Sequence, residues 1–235
     1  MKVEMWSDVV CPFCYIGKRR FEAALEQFEG RDQVDVILKS FQLDPTARKG
    51  EHSDIHAMLA KKYNVPYEKG KEMNNQMAEQ AKEVGLEFNF DSVIPTNTKD
   101  AHRLSLLAKE KGKMYELMEQ LMKAYFTEGR DVGSHDVLID LAKDVGIDGE
   151  EARNVLAGDD FETGVEQDQQ EAGQIGVQGV PFFVFNHKYA VSGAQPTETF
   201  LDVLQKVFEE EKNESKVQIL NDQSKTEYCD GDSCS

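Results

Sequence analysis

The chain has 235 residues, 40% of them hydrophobic and 30% charged, with a formal net charge of -17 at pH 7. That acidity repels nucleic acid and anionic membrane surfaces, and no run approaches the roughly twenty apolar residues of a spanning helix. The composition predicts a soluble globular protein of one large domain, or one domain with a substantial insertion, with neither nucleic acid nor membrane as partner.

In chain order, Lys2 to Ser7 alternates apolar and polar residues through Val3 and Met5, which predicts a strand. The segment Cys11-Pro12-Phe13-Cys14 then opens a helical pattern carried by Ile16, Phe21, Ala24, Leu25 and Phe28, with Gly30 as its stop. Val34, Val36, Ile37, Leu38 and Phe41 make a second β-type run, so the opening is a βαβ unit. No apolar leader precedes the first strand, and a cytoplasmic location is expected.

From about Glu51 to Gln174 the period becomes helical. Ile55, Met58 and Leu59 mark one segment, and Met73, Met77, Ala81 and Val84 another, stopped by Gly85. Leu104, Leu107 and Ala108 mark a third, and Leu117 to Tyr125 a fourth. Ser134 is placed to cap a helix through Leu138 and Leu141, and Asp148 with Glu151 forms a capping-box-like start before Val155 and Leu156. A β pattern returns at Val180 to Phe185, turns at Asn186-His187-Lys188 and runs on through Tyr189 to Val191. Pro196 suits the first turn of a closing helix with Phe200, Leu201, Leu204, Val207 and Phe208 on one face. Residues 213–235 read as a polar tail.

The four cysteines fall into two pairs, Cys11 with Cys14 and Cys229 with Cys234, a spacing that suggests redox or metal chemistry. At the start of a helix, Cys11 meets free backbone amides and the positive end of the helix dipole, which favour the thiolate that attacks disulfides. Cys14, one turn on, can resolve the resulting mixed disulfide, and Pro12 fits the first helical turn, where its missing N–H has no acceptor. The alternative use of CxxC is half a zinc site, which would need two further ligands from a folded-back Cys229 and Cys234; the proline and the strand-to-helix placement favour redox, with no metal and no cofactor expected. Val180-Pro181 begins the returning strand. A proline is ordinary at a strand entry; in a thioredoxin fold it is expected to be cis and to face the dithiol, leaving the Val180 backbone to pair with an extended substrate.

Trp6-Ser7-Asp8 leading to Cys11-Pro12-Phe13-Cys14-Tyr15-Ile16-Gly17, then Asn97-Thr98 with Ala101-His102-Arg103, and Gly179-Val180-Pro181-Phe182-Phe183 together resemble the DsbA family, particularly its FrnE-like branch, over residues 3–208. The resemblance implies an α/β protein with a thioredoxin fold, β-α-β then β-β-α, interrupted by a large helical insertion. Residues 1–45 and 175–212 would form the thioredoxin unit and 46–174 an inserted block covering the dithiol, with 213–235 as a tail. It further implies a substrate groove near Trp6, Asn97 and His102, although Asn97 is equally suited to capping a helix and His102 to an ordinary helix side chain. His52, His56, His135 and His187 belong to no motif.

The expected activity is thiol-disulfide exchange with protein or small-molecule disulfides, Cys11 attacking and Cys14 resolving, supported by Pro12, Phe13, Val180 and Pro181, with a cellular reductant as electron source. Phe13 stands where strongly oxidising relatives have histidine, which suits a reductase or isomerase. FrnE-like proteins are also similar to 2-hydroxychromene-2-carboxylate isomerases and kappa-class glutathione transferases, so a glutathione-dependent isomerase or transferase is the runner-up, and the retained pair of cysteines argues against it. A thiol-dependent binding or chaperone module is a third reading, and the same apolar groove could serve a homodimer. By resemblance, Cys229 and Cys234 form an auxiliary redox pair.

Overall fold

The structure is a computed structural model that describes residues 1–49 and 54–214. Four strands form one mixed sheet in the order β2-β1-β3-β4. β1 (Lys2–Ser7) is parallel to β2 (Asp35–Ser40), with Lys2 opposite Asp35 and Ser7 opposite Ser40. On its other side it is antiparallel to β3 (Phe182–Phe185), with Val3 opposite Phe185 and Trp6 opposite Phe182. β4 (Tyr189–Ser192) closes a hairpin whose turn residues Asn186 and His187 have φ of 49° and 53°, the left-handed geometry that matches strand twist.

Strand alternation sends Val3, Met5, Phe183 and Phe185 to one face of the sheet and Trp6, Phe182 and Val184 to the other. α1 (Pro12–Gln27) and α9 (Thr197–Glu214) cover the first face. Phe21 of α1 lies 5.4 Å from Phe183 and 5.6 Å from Phe200 of α9, ring centroid to centroid, and each such buried aromatic contributes about 2–3 kcal/mol of transfer free energy. α8 (Glu162–Gln174) covers the second face, where Ala172 and Val177 pack with Trp6.

Between β2 and β3 the chain is helical: α2 (Ile55–Tyr63), α3 (Tyr67–Lys82), α4 (Lys99–Glu110), α5 (Met114–Phe126), α6 (His135–Asp144), α7 (Gly149–Ala157) and then α8. α4 is buried without interruption from Asp100 to Ala108 because α5, α6, α7 and α8 all pack around it. The core runs from the sheet into this block as one body of apolar side chains. The fold is the thioredoxin order with a helical insertion, as the sequence predicts.

Four local expectations need correction. Gly30 has φ -90° and stops no helix by left-handed geometry; α1 ends at Gln27, and Gly30 makes room for the Phe28 and Phe208 rings, which a Cβ would meet at 2.8 Å. Ser134 precedes α6 without a side-chain cap bond. Asp148 does cap α7, accepting from the Glu150 and Glu151 backbone amides, but the Glu151 carboxylate pairs with Lys111 at 2.8 Å instead of closing a box. α9 also continues to Glu214, past the last apolar residue of its buried face.

Candidate active site

The site begins where β1 ends. The Cys11 backbone N–H donates to the Asp8 carbonyl at 3.2 Å, turning the chain into α1, and Cys11 becomes the residue preceding the first helical turn, with φ -94° and ψ 111°. No side chain caps this end and Pro12 occupies the first turn; the Cys14 and Tyr15 amides donate to the Cys11 carbonyl at 3.0 and 3.4 Å, and Cys11 sits at the positive end of the α1 dipole. Cys11 is 4% exposed and Cys14 fully buried, both as free thiols, whereas Phe13 between them is 45% exposed.

The second wall is the loop entering β3. The Val180-Pro181 peptide is cis, as the sequence reading anticipates, and the Cys11 thiol donates to the Val180 carbonyl at 3.5 Å. The Pro181 carbonyl accepts from the Gly193 N–H at 2.8 Å, which fixes this loop to the end of β4. α1 approaches it closely at Gly17, where a Cβ would lie 2.9 Å from Pro181 Cγ. Gly17, which the sequence offers only as part of the motif after Cys14, is kept free of a side chain by this packing.

The two thiols differ in environment. Burial first, and then the hydrogen bond and charge of Cys11, push the Cys14 thiol well above its ordinary value, while the Asp8 backbone and the Ser7 hydroxyl act the other way. Cys14 therefore holds its proton, while Cys11 keeps a slight exposure beside the Val180 carbonyl.

The remaining candidates separate. Trp6 is fully buried under α8, on the face of the sheet opposite α1, and donates its indole N–H to the Asp168 carbonyl at 2.9 Å. Asn97 is half-buried: its Oδ1 accepts from the Lys99 N–H at 2.9 Å, and its Nδ2 donates to the Pro45 and Ala47 carbonyls at 3.2 and 3.0 Å. It thus opens α4 and also holds the loop after β2. His102 is fully buried, with Nε2 3.1 Å from Asp8 Oδ1. Asp8 is a site residue that the sequence reading quotes without a role; an acid set between Ser7 and Val9 three residues before Cys11 was its signal. His56, His135 and His187 each pair with a carboxylate, and His52, Cys229 and Cys234 lie outside the described residues. Among the described residues Glu4, Glu171 and His187 bring metal-capable atoms within 4.8 Å of one another, but Lys2 at 2.8 Å and Lys39 at 3.9 Å from Glu4 already supply the counter-charge.

A family model described as the DSBA-like thioredoxin domain matches residues 2–205. The chain belongs to this family. It is 38% identical to a probable DsbA oxidoreductase from Streptomyces coelicolor, whose crystal structure aligns with a TM-score of 0.86 over 100% of this chain and 98% of that one. It is 29% identical over 205 residues to the uncharacterized protein YwbO of Bacillus subtilis, covering 84% of this chain and 92% of the relative. The cytosolic disulfide reductase DsbM from Pseudomonas aeruginosa, at 16% identity, shares the fold with a TM-score of 0.62 over 89% of this chain and 99% of that one. Family membership places the chain among DsbA-like oxidoreductases in general.

Proposed function

We propose that the protein exchanges dithiols and disulfides through Cys11 and Cys14, acting on disulfides of proteins or small thiols and recharged by a cellular reductant. The observation that carries this reading is the asymmetry of the pair: Cys11 sits at the amide end of α1 against the Val180 carbonyl, and Cys14 is buried behind it as a thiol. The Cys11 thiolate attacks a substrate disulfide and forms a mixed disulfide, one substrate sulfur leaving as thiolate. Cys14 then attacks Cys11, forms the internal disulfide and releases the second substrate sulfur. Pro12, Phe13, Val180 and Pro181 frame that chemistry, with Asn97 holding the wall formed by the loop after β2.

Residues 1–45 and 175–212 act in this reading as the catalytic unit and 46–174 as its cover. A cytoplasmic reductase or isomerase fits the absence of a histidine between the cysteines, and DsbM supplies a fold precedent for cytosolic disulfide reduction.

The test is insulin reduction. Cys11→Ser is expected to lose at least about a hundredfold in turnover, as a removed nucleophile demands, whereas Cys14→Ser accumulates mixed disulfides visible by mass spectrometry. Undiminished turnover in Cys11→Ser overturns the reading.

A further inference from the structure

Asp8 and His102 form a buried ionisable pair that the exchange steps above leave unused. Both are fully buried. Asp8 lies three residues before Cys11, and its main chain serves both sulfur-bearing residues: its carbonyl accepts from the Cys11 N–H at 3.2 Å, and its backbone hydrogen-bonds Cys14. Its carboxylate reaches outward in two directions, Oδ2 accepting from the Leu43 N–H at 2.8 Å and Oδ1 lying 3.1 Å from His102 Nε2. His102 arrives from α4, 94 residues further along the chain. Its other nitrogen, Nδ1, is buried without a hydrogen-bond partner among the described residues.

We propose that His102 is a positioning residue of the dithiol, and that with Asp8 it forms a charge buffer beside Cys14. The inference rests on the exchange mechanism proposed above. In the resolving step the Cys14 thiol loses a proton, its sulfur bonds to Cys11 Sγ, and the bond from Cys11 to substrate breaks with its electron pair leaving on the substrate sulfur. The departing substrate thiolate takes up a proton through solvent, so the step is balanced. In between, a negative charge stands on a buried sulfur that hydrogen-bonds the backbone of Asp8, whose own carboxylate is buried, and like charges in a desolvated site oppose one another.

The imidazole answers this in two ways. With its hydrogen on Nε2 it donates to Asp8, orienting the carboxylate and drawing its charge away from the sulfurs. Its unpartnered Nδ1 offers a second nitrogen that can hold a proton beside the residue whose backbone holds Cys14. Neighbouring charges are otherwise engaged. Tyr125 on α5 stays a neutral phenol, held up by burial first and then by the charges of Asp8 and Asp131. Asp100 on α4 is paired with Arg103, His135 and Lys49, and Asp168 on α8 with Lys39. Cys11 faces Cys14 directly.

The experiment follows Cys14 alone, in the full-length Cys11→Ser protein, by mass-resolved iodoacetamide alkylation of its peptide across pH. His102→Ala is expected to move the alkylation midpoint upward by about one pH unit, an approximately tenfold slower reaction at fixed pH. His102→Gln, which keeps a donor toward Asp8 but cannot take a proton, gives part of that shift. Asp8→Asn combined with His102→Ala abolishes it, because no uncompensated charge remains. An unmoved midpoint in every variant that retains the parent circular dichroism spectrum overturns the proposal and leaves His102 a packing residue, and the Gln and double variants keep the test decisive if His102→Ala does not fold. Failure of the exchange mechanism is recognised separately, by undiminished insulin reduction in Cys11→Ser, since alkylation needs no turnover.

Discussion

Phe13 stands between the two cysteines, 45% exposed, where its ring offers an apolar contact to a substrate and no charge to a thiolate. An imidazole at the same position, above the amide end of α1, would stabilise the thiolate and with it the reduced form. Phe13→His is expected to raise the dithiol potential by on the order of 30 mV, a tenfold change in the exchange constant for a two-electron couple; a glutathione redox titration measures it, and a lower potential contradicts the electrostatic reading. At this scale the roles proposed for Cys11, Cys14 and Pro181 come from residue type and spacing. The sequence says less of Trp6. A tryptophan one residue before the end of β1 can face a groove or a helix, and only the packing of α8 shows that it faces the helix.

Among the elements, α1 carries the site and is anchored to the helical block through a polar network. Lys18 is almost wholly buried, with Nζ 2.6 Å from Glu22 and 2.7 Å from Glu119 of α5. Tyr15, next to Cys14, donates to Glu119, and Arg19 pairs with both carboxylates. Burial acts to raise the Glu22 and Glu119 carboxyls, but the Lys18 ammonium and the surrounding hydrogen bonds outweigh it and hold both below the usual glutamate range. Their stabilisation is therefore complete above the unfolded glutamate value of about 4.3 and fades as pH falls through the lowered folded values. Lys18→Ala leaves two half-buried carboxylates with Arg19 as their remaining cation and is expected to lose about 2 kcal/mol at neutral pH. Urea titrations from neutral pH downward should show the variant losing less of its stability on acidification than the parent, because without Lys18 the two carboxyls are held less far below their unfolded value; identical profiles would remove Lys18 from the account. The helix itself was legible from its apolar spacing, but its partner was not, because the two ends of the network are about a hundred residues apart.

For the molecule as a whole, the continuous core decides how it unfolds. Phe183 is fully buried between Phe21, at 5.4 Å, and Phe200, at 4.7 Å, so it joins the sheet to both helices of that face. Phe183→Ala is expected to lose about 3–5 kcal/mol in denaturant unfolding. Because one apolar body spans sheet and helical block, the fluorescence of the single tryptophan, Trp6, and the far-ultraviolet circular dichroism should report the same midpoint in parent and variant. Separate midpoints would show that the block unfolds on its own.

The order of elements, the thioredoxin class and the candidate dithiol were determined by the sequence alone, because alternation, helical period and the CPFC spacing are local signals that survive without knowledge of neighbours. Tertiary structure decided the rest. It turned Gly30 from a helix stop into a space for two rings, gave Gly17 its contact with Pro181, and buried Trp6. It also brought Asp8 and His102 within 3.1 Å across 94 residues of chain. Such pairings depend on which faces of distant elements meet, and burial then makes each unpartnered polar atom or missing Cβ matter, a constraint that no local pattern carries.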